Sequence, residues 1–75
     1  MKDKILEILG DIRDDLDVTR EDLIDAGILS SLDIIQLIGA LNDEFDISIP
    51  ATEIKPQNFN STDAILKMVE RLLDE

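Results

Sequence analysis

Apolar residues recur along this chain at the three- and four-residue spacing that puts them on one side of a helix. Ile5, Ile8, Leu9, Ile12 and Leu16 form a first such stripe. Ile34, Leu37, Ile38, Leu41 and Phe45 form a second, predicting a helix over residues 31–46, and Ala64, Ile65, Met68, Val69 and Leu72 form a third. Ile47-Ser48-Ile49-Pro50 alternates as a strand would, but it is too short and has no evident partner. Pro50 and Pro56 punctuate an irregular stretch with room for a short helix over 54–59. The expected fold is all-α: a small four-helix bundle of three main helices and one short one, with a long ordered loop between the first and second helices.

The stretches between the stripes carry start and stop signals. Asp11, Asp14, Asp15 and Asp17 crowd the end of the first stripe, where the helix dipole disfavours anions, so that end is expected to fray. The loop over 17–30 is longer than most connections, yet Leu23, Ile24, Ile28 and Leu29 give it side chains to bury. Thr19 and Asp22 have the spacing of a capping box and predict a helical turn within the loop. Ser30 and Asp33 have the same spacing, with Ser30 as N-cap of the second helix, and Asn60 or Ser61 is a good cap for the last. Leu32 falls nearly opposite the second apolar stripe, beside Gln36, Gly39 and Asp43, which marks it as exposed.

Charge changes the picture. Eighteen acids against seven bases leave −11 on 75 residues. Such a chain repels nucleic acid and anionic lipid and favours basic protein surfaces. No Lys or Arg lies between Glu21 and Ile54, while Glu21, Asp22, Asp25, Asp33, Asp43, Glu44, Asp46 and Glu53 all do. A plain solvated face would account for those acids. Their position around the start of the second helix points instead to docking.

Missing residue types exclude whole chemistries. Without Cys there is no disulfide or thiol chemistry, and without His the usual general base and metal ligand are gone. Trp and Tyr are absent, and two Phe make no base-stacking platform. No phosphate-binding glycine loop occurs, and the acidic stretch 11–21 lacks the glycine and the ligand spacing of an EF-hand. Asn60-Ser61-Thr62 matches a glycosylation sequon by chance. No apolar run approaches a signal-peptide core or the roughly 20 residues of a membrane span, so a soluble, cytoplasmic, single domain over 1–75 is expected. A bundle this small has little room for an active-site cavity, and independent catalysis and a resident metal are not expected.

The remaining candidate is a hydroxyl. Gly27-Ile28-Leu29-Ser30-Ser31-Leu32-Asp33 puts a serine where a loop becomes a helix, with unpaired N–H groups and the positive end of the dipole. A phosphate carried there is electrostatically welcome. Both serines could simply be capping residues. The acidic surroundings, the exposed leucine and the lack of any other chemistry favour Ser31 as a modified residue.

Residues 22–50, Asp-Leu-Ile-Asp-Ala-Gly-Ile-Leu-Ser-Ser-Leu-Asp-Ile-Ile-Gln-Leu-Ile-Gly-Ala-Leu-Asn-Asp-Glu-Phe-Asp-Ile-Ser-Ile-Pro, resemble the acyl carrier protein family. The likeness rests on Ser-Leu opening an apolar-acidic helix, on Glu-Phe closing it, and on the Ile-Pro that follows. Length, acidity and helix order extend it over nearly the whole chain. The resemblance implies that Ser31 accepts a 4′-phosphopantetheine from coenzyme A, through which a monomeric carrier with no catalysis of its own holds acyl or aminoacyl groups as thioesters. It further implies that Leu32, Asp33, Gln36, Asp43 and Glu44 dock partners: a phosphopantetheinyl transferase, and basic-surfaced ligases or synthases. Three positions depart from the family pattern. Ser30 stands where aspartate is usual, Gln36 where glutamate is common, and Gly39 where a larger apolar residue is frequent. The run 27–31 is closer to D-alanyl and other freestanding aminoacyl carriers than to fatty-acid carriers. An unmodified acidic module for protein interaction is the alternative.

Overall fold

The computed structural model describes residues 1–74 and is all-helical. Helix α1 spans Lys2–Ile12, α2 spans Ser31–Phe45, α3 is a single turn over Pro56–Phe59, and α4 spans Thr62–Leu73. A 3₁₀ turn over Ala51–Glu53 precedes α3, and no strand occurs among the described residues. Helix α1 packs on both α2 and α4, and α4 also contacts α2 and α3. Ile5, Leu9, Leu37, Leu41, Ile65, Met68 and Val69 are fully buried where these faces meet, with Phe59 closing the end of the core.

Helix α1 is shorter than its apolar stripe. It ends at Ile12, and Arg13 leaves it in extended conformation just where Asp14 and Asp15 begin. Leu16 is therefore a loop residue, although its side chain still packs against the core. At the other end of the loop α2 begins at Ser31, and it closes after Phe45 on Asp46, held left-handed at φ 53°. Ile49 N–H donates to Asn42 Oδ1 at 3.1 Å, which turns the outgoing chain back so that Ile49 joins the core.

The loop over 13–30 contains turns but no helix, and the expected box between Thr19 and Asp22 does not form. Asp17 wins the competition for Thr19, accepting from both its N–H and its hydroxyl. Asp22 is taken by Arg20, whose Nε and Nη2 each donate to one carboxylate oxygen at 2.8 Å. Order comes from elsewhere in the chain. Asn60 accepts at Oδ1 from the N–H groups of Ile24 and Asp25, at 2.9 and 3.1 Å, and its carbonyl accepts from Leu23 N–H. Thr62 Oγ1 donates to the Val18 carbonyl at 2.9 Å. Asn60 is thus a clamp on the loop, and the cap of α4 is Ser61, whose Oγ accepts from Ala64 N–H at 3.0 Å. Gly27 sits at φ +72°, a conformation that glycine takes without the Cβ penalty, and it turns the chain toward α2.

Candidate functional site

The first turn of α2 is built by a reciprocal cap. Ser30 Oγ accepts from Asp33 N–H at 3.2 Å, and Asp33 Oδ2 accepts from Ser30 N–H at 3.0 Å. The second bond, with support from Arg13, holds the Asp33 carboxyl below the usual aspartate range. The Ser30 hydroxyl is thereby committed. Ser31, the first residue inside the helix, is exposed.

Beside Ser31 lies an open groove of about 300 Å³, walled by Ile24, Ile34, Ile35, Ile38, Ile54 and Phe59. Lys55 and Pro56 complete its rim. Two stripes of α2 thus differ in use. Leu37 and Leu41 are fully buried, whereas Ile34 and Ile38 remain half-buried because they form the groove wall. The sequence suggested little room for a cavity, and the groove lies between α2, the loop residue Ile24 and the segment from Ile54 to Phe59.

Leu32 is 62% exposed and Ile35 66% exposed, and together with Gln36, Gly39 and Asp43 they make up the outer stripe of α2. Ile35 and the 45% exposed Ile54 were not singled out from sequence. The stripe takes Ile34 inward and leaves its neighbour Ile35 outside it, so the helical spacing is the signal that marks Ile35 as outward-facing. The acids near the site differ in freedom. Asp43 is exposed, Glu44 lies 3.7 Å from Lys4, and Asp33 is largely enclosed between Ser30 and the guanidinium of Arg13, 3.6 Å away.

The arrangement therefore offers one exposed hydroxyl outside the cap at a helix N-terminus, an apolar groove next to it, and an apolar ridge flanked by carboxylates. A family model described as a phosphopantetheine attachment site matches residues 1–73. The chain belongs to the phosphopantetheine-binding carrier family. Its similarity extends to a D-alanyl carrier protein of Streptococcus mutans, 32% identical over 96% of this chain and 94% of that protein. D-alanyl carrier proteins of Streptococcus gordonii and Streptococcus sanguinis are each 34% identical over the same shares. No solved structure matches. The family's function is that of a carrier holding acyl or aminoacyl groups on a covalent 4′-phosphopantetheine. The site fits such a group, because an exposed hydroxyl stands on the positive end of α2 and opens onto an apolar trough that a flexible, partly apolar arm can follow. No helix among the described residues is long and apolar enough to cross a membrane.

Proposed function

We propose that Ser31 is the attachment point of the arm and that the cargo is an aminoacyl group of the D-alanyl class. One observation carries the first part. Of the four hydroxyl residues that open α2 and α4, Ser30 and Ser61 serve as caps, Thr62 is buried, and Ser31 is exposed at the first helical position. The N–H groups of that first turn favour a phosphodiester. Once bound, the arm supplies a thiol that holds cargo as a thioester. The chain's own residues supply the anchor, the groove and the docking ridge. We read it as a cosubstrate without catalysis of its own, in keeping with the lack of any His or Cys.

The cargo reading is supported by the likeness to D-alanyl carrier proteins over nearly the full length of both chains. A short acyl chain is the second reading, favoured by the apolar lining of the groove. Docking is assigned to Leu32, Ile35, Gln36, Asp43 and Glu44, which a basic enzyme surface can cover together. Partners of that kind are a phosphopantetheinyl transferase and an aminoacyl ligase. Asp33 adds charge to the same region, but its carboxylate is turned to Ser30 and Arg13.

The test is intact mass after incubation with coenzyme A and a broad-specificity phosphopantetheinyl transferase, followed by loading with a D-alanine ligase and ATP. One added arm and then one added alanyl group are expected. Modification without alanyl transfer, but with acyl transfer by an acyl ligase, would replace the first cargo reading with the second. No added mass at all would leave the unmodified interaction module.

A further inference from the structure

The loop before Ser31 is tethered at three places, and the tethers differ in what they reach. Asn60 and Thr62 hold its middle to the junction of α3 and α4. The third is Arg13, at the C-terminal end of α1. Its Nη1 donates to the Ile28 carbonyl at 2.9 Å and lies 3.6 Å from Asp33 Oδ2, while its Nε lies 3.5 Å from Asp15. The same Asp33 oxygen accepts from Ser30 N–H. One guanidinium therefore joins the end of α1, the last residues of the loop and the first turn of α2. These contacts surround Ser31 on the chain, at positions 28, 30 and 33, without touching its hydroxyl.

Resting on the reading of Ser31 as the attachment point, we infer that Arg13 is a positioning residue for modification: it locks the loop-to-helix corner so that the Ser31 hydroxyl is presented in one orientation. The physical basis is the shape of arginine. Nη1 serves the Ile28 carbonyl and faces Asp33 while Nε faces Asp15, so a planar fork fixes three partners at set angles, which the single ammonium of lysine does less well. The Ile28 bond fixes the direction in which the chain enters Ser30, and the Asp33 contact fixes the carboxylate that caps it. Arg13 and Asp33 are both only partly exposed, 40% and 15% at the side chain, so solvent screens them less than a surface pair. With Arg13 gone, Ile28 loses its donor and Asp33 keeps only the cap. The corner then samples several entry angles, and Ser31 is in attack geometry for a smaller fraction of encounters.

The experiment compares Arg13→Gln, Arg13→Lys and Arg20→Gln with wild type as substrates for coenzyme A and a phosphopantetheinyl transferase. Product is read by intact mass, and amide hydrogen exchange is recorded on the unmodified proteins. Arg20→Gln removes the same charge, but from a pair with Asp22 in the middle of the loop. For Arg13→Gln the expected result is a kcat lower by about tenfold, the factor that one charge-assisted hydrogen bond can supply. KM is not expected to rise, since the docking ridge is intact and the chain is more acidic. The Ser30 amide is expected to exchange faster. Arg20→Gln should leave kcat and that amide unchanged, and Arg13→Lys should recover only part of the rate. Equal rates for Arg13→Gln and wild type, equal losses in both glutamine variants, or full recovery by lysine would overturn the inference. A wild-type chain that takes no arm, or a Ser31→Ala chain that does, would instead overturn the reading on which it rests.

Discussion

Helices α2 and α4 begin alike: a serine cap followed at once by a second hydroxyl, Ser30-Ser31 in one case and Ser61-Thr62 in the other. In both, the cap oxygen accepts from the N–H three residues on, at 3.2 and 3.0 Å. The second hydroxyl has opposite fates. Thr62 is 4% exposed and gives its proton to the Val18 carbonyl, so it ties the loop to the bundle. Ser31 is exposed and lines the groove. Cap chemistry builds both helix starts, and what packs in front of each start selects its use. At α4 the loop is bonded to the helix start through Val18 and Thr62, whereas at α2 the second hydroxyl stays exposed.

The largest contrast to test is modification itself. Ser31→Ala is expected to abolish arm attachment completely, measured by intact mass after exhaustive incubation with the transferase. Thr62→Val, which keeps shape and removes the buried hydrogen bond, is expected to be modified fully and to lose about 1 kcal/mol of stability in denaturant titration. Modification of Ser31→Ala, or failure of Thr62→Val to accept the arm while still folded, would erase the distinction between the two hydroxyls.

The same separation of roles divides the two faces of α2. Leu41 is fully buried against α1 and α4, so Leu41→Ala is expected to cost about 2–5 kcal/mol, enough to unfold much of so small a domain. Leu32→Ala and Ile35→Ala remove side chains that are already more than half exposed, and each is expected to stay within about 0.5 kcal/mol of wild type. Their effect should appear as a raised KM for the transferase. A Leu32→Ala variant as unstable as Leu41→Ala would move Leu32 into the core and remove the ridge.

How much of this was legible in the chain depends on whether the deciding contact was local. The apolar stripes of α2 and α4 and the Ser30–Asp33 box follow from residues three and four apart, and these were readable. The end of α1 was legible in part: the acids over 11–17 marked it as weak, but the stripe runs on through Leu16 while the backbone leaves the helix at Arg13. Leu16 reaches the core from a loop, a placement periodicity cannot distinguish from a helical one. Thr19 and Asp22 had the right spacing for a cap, and lost it to Asp17 and Arg20, which compete for the same groups. Of the two residues that read as caps for α4, Ser61 is the cap, and Asn60 serves as a clamp 35 and 36 positions away from its partners. The exposed Ser31 was inferred from its neighbours in sequence, but the groove beside it needed Ile54 and Phe59 to be folded into place.

A smaller effect separates the two caps by pH. Ser30→Ala and Ser61→Ala should each cost about 0.5–2 kcal/mol near neutrality. Only α2 has a carboxylate in its cap. The Asp33 carboxyl is held below the ordinary value of about 3.9, so its contribution is complete above that value. It is lost as pH falls through the lower folded value, where the folded state must take up a proton it had resisted. Once the intrinsic slowing of exchange in acid is divided out, protection of the Ser30 and Asp33 amides should therefore fall on acidification from pH 5 toward pH 2.5, while Ala64, held by the Ser61 hydroxyl, loses protection only through global unfolding. Parallel responses at both helix starts would show that Asp33 adds nothing beyond the serine cap.

The smallest expected effect concerns charge, and here folding softens a contrast drawn from sequence. The stretch between Glu21 and Ile54 has no cation of its own, yet Lys4 reaches Glu44, Arg13 reaches Asp33, Arg20 reaches Asp22 and Arg71 reaches Glu53 at 2.8 Å. The cations of α1, the loop and α4 are thus lent to the acidic region. Apart from the more enclosed Arg13–Asp33 contact, such pairs are each worth little, and all of them leave the net charge at −11. Repulsion among the remaining carboxylates therefore still opposes the folded state. Raising sodium chloride from about 20 to 200 mM, which shortens the screening length from about 20 to 7 Å, weakens both repulsion and pairing. Because unpaired acids outnumber the pairs, the net result is expected to be a rise of a few degrees in melting temperature. Calcium should do somewhat more at equal ionic strength, by loose bridging: among the described residues no three carboxylates gather into a metal-binding group. Lys4→Gln and Arg71→Gln should enlarge the salt response, since each frees an acid to repel. A melting temperature that fell with salt would mean that the borrowed pairs outweigh the repulsion, and the acidic region would then be a structural network more than a surface kept charged for partners.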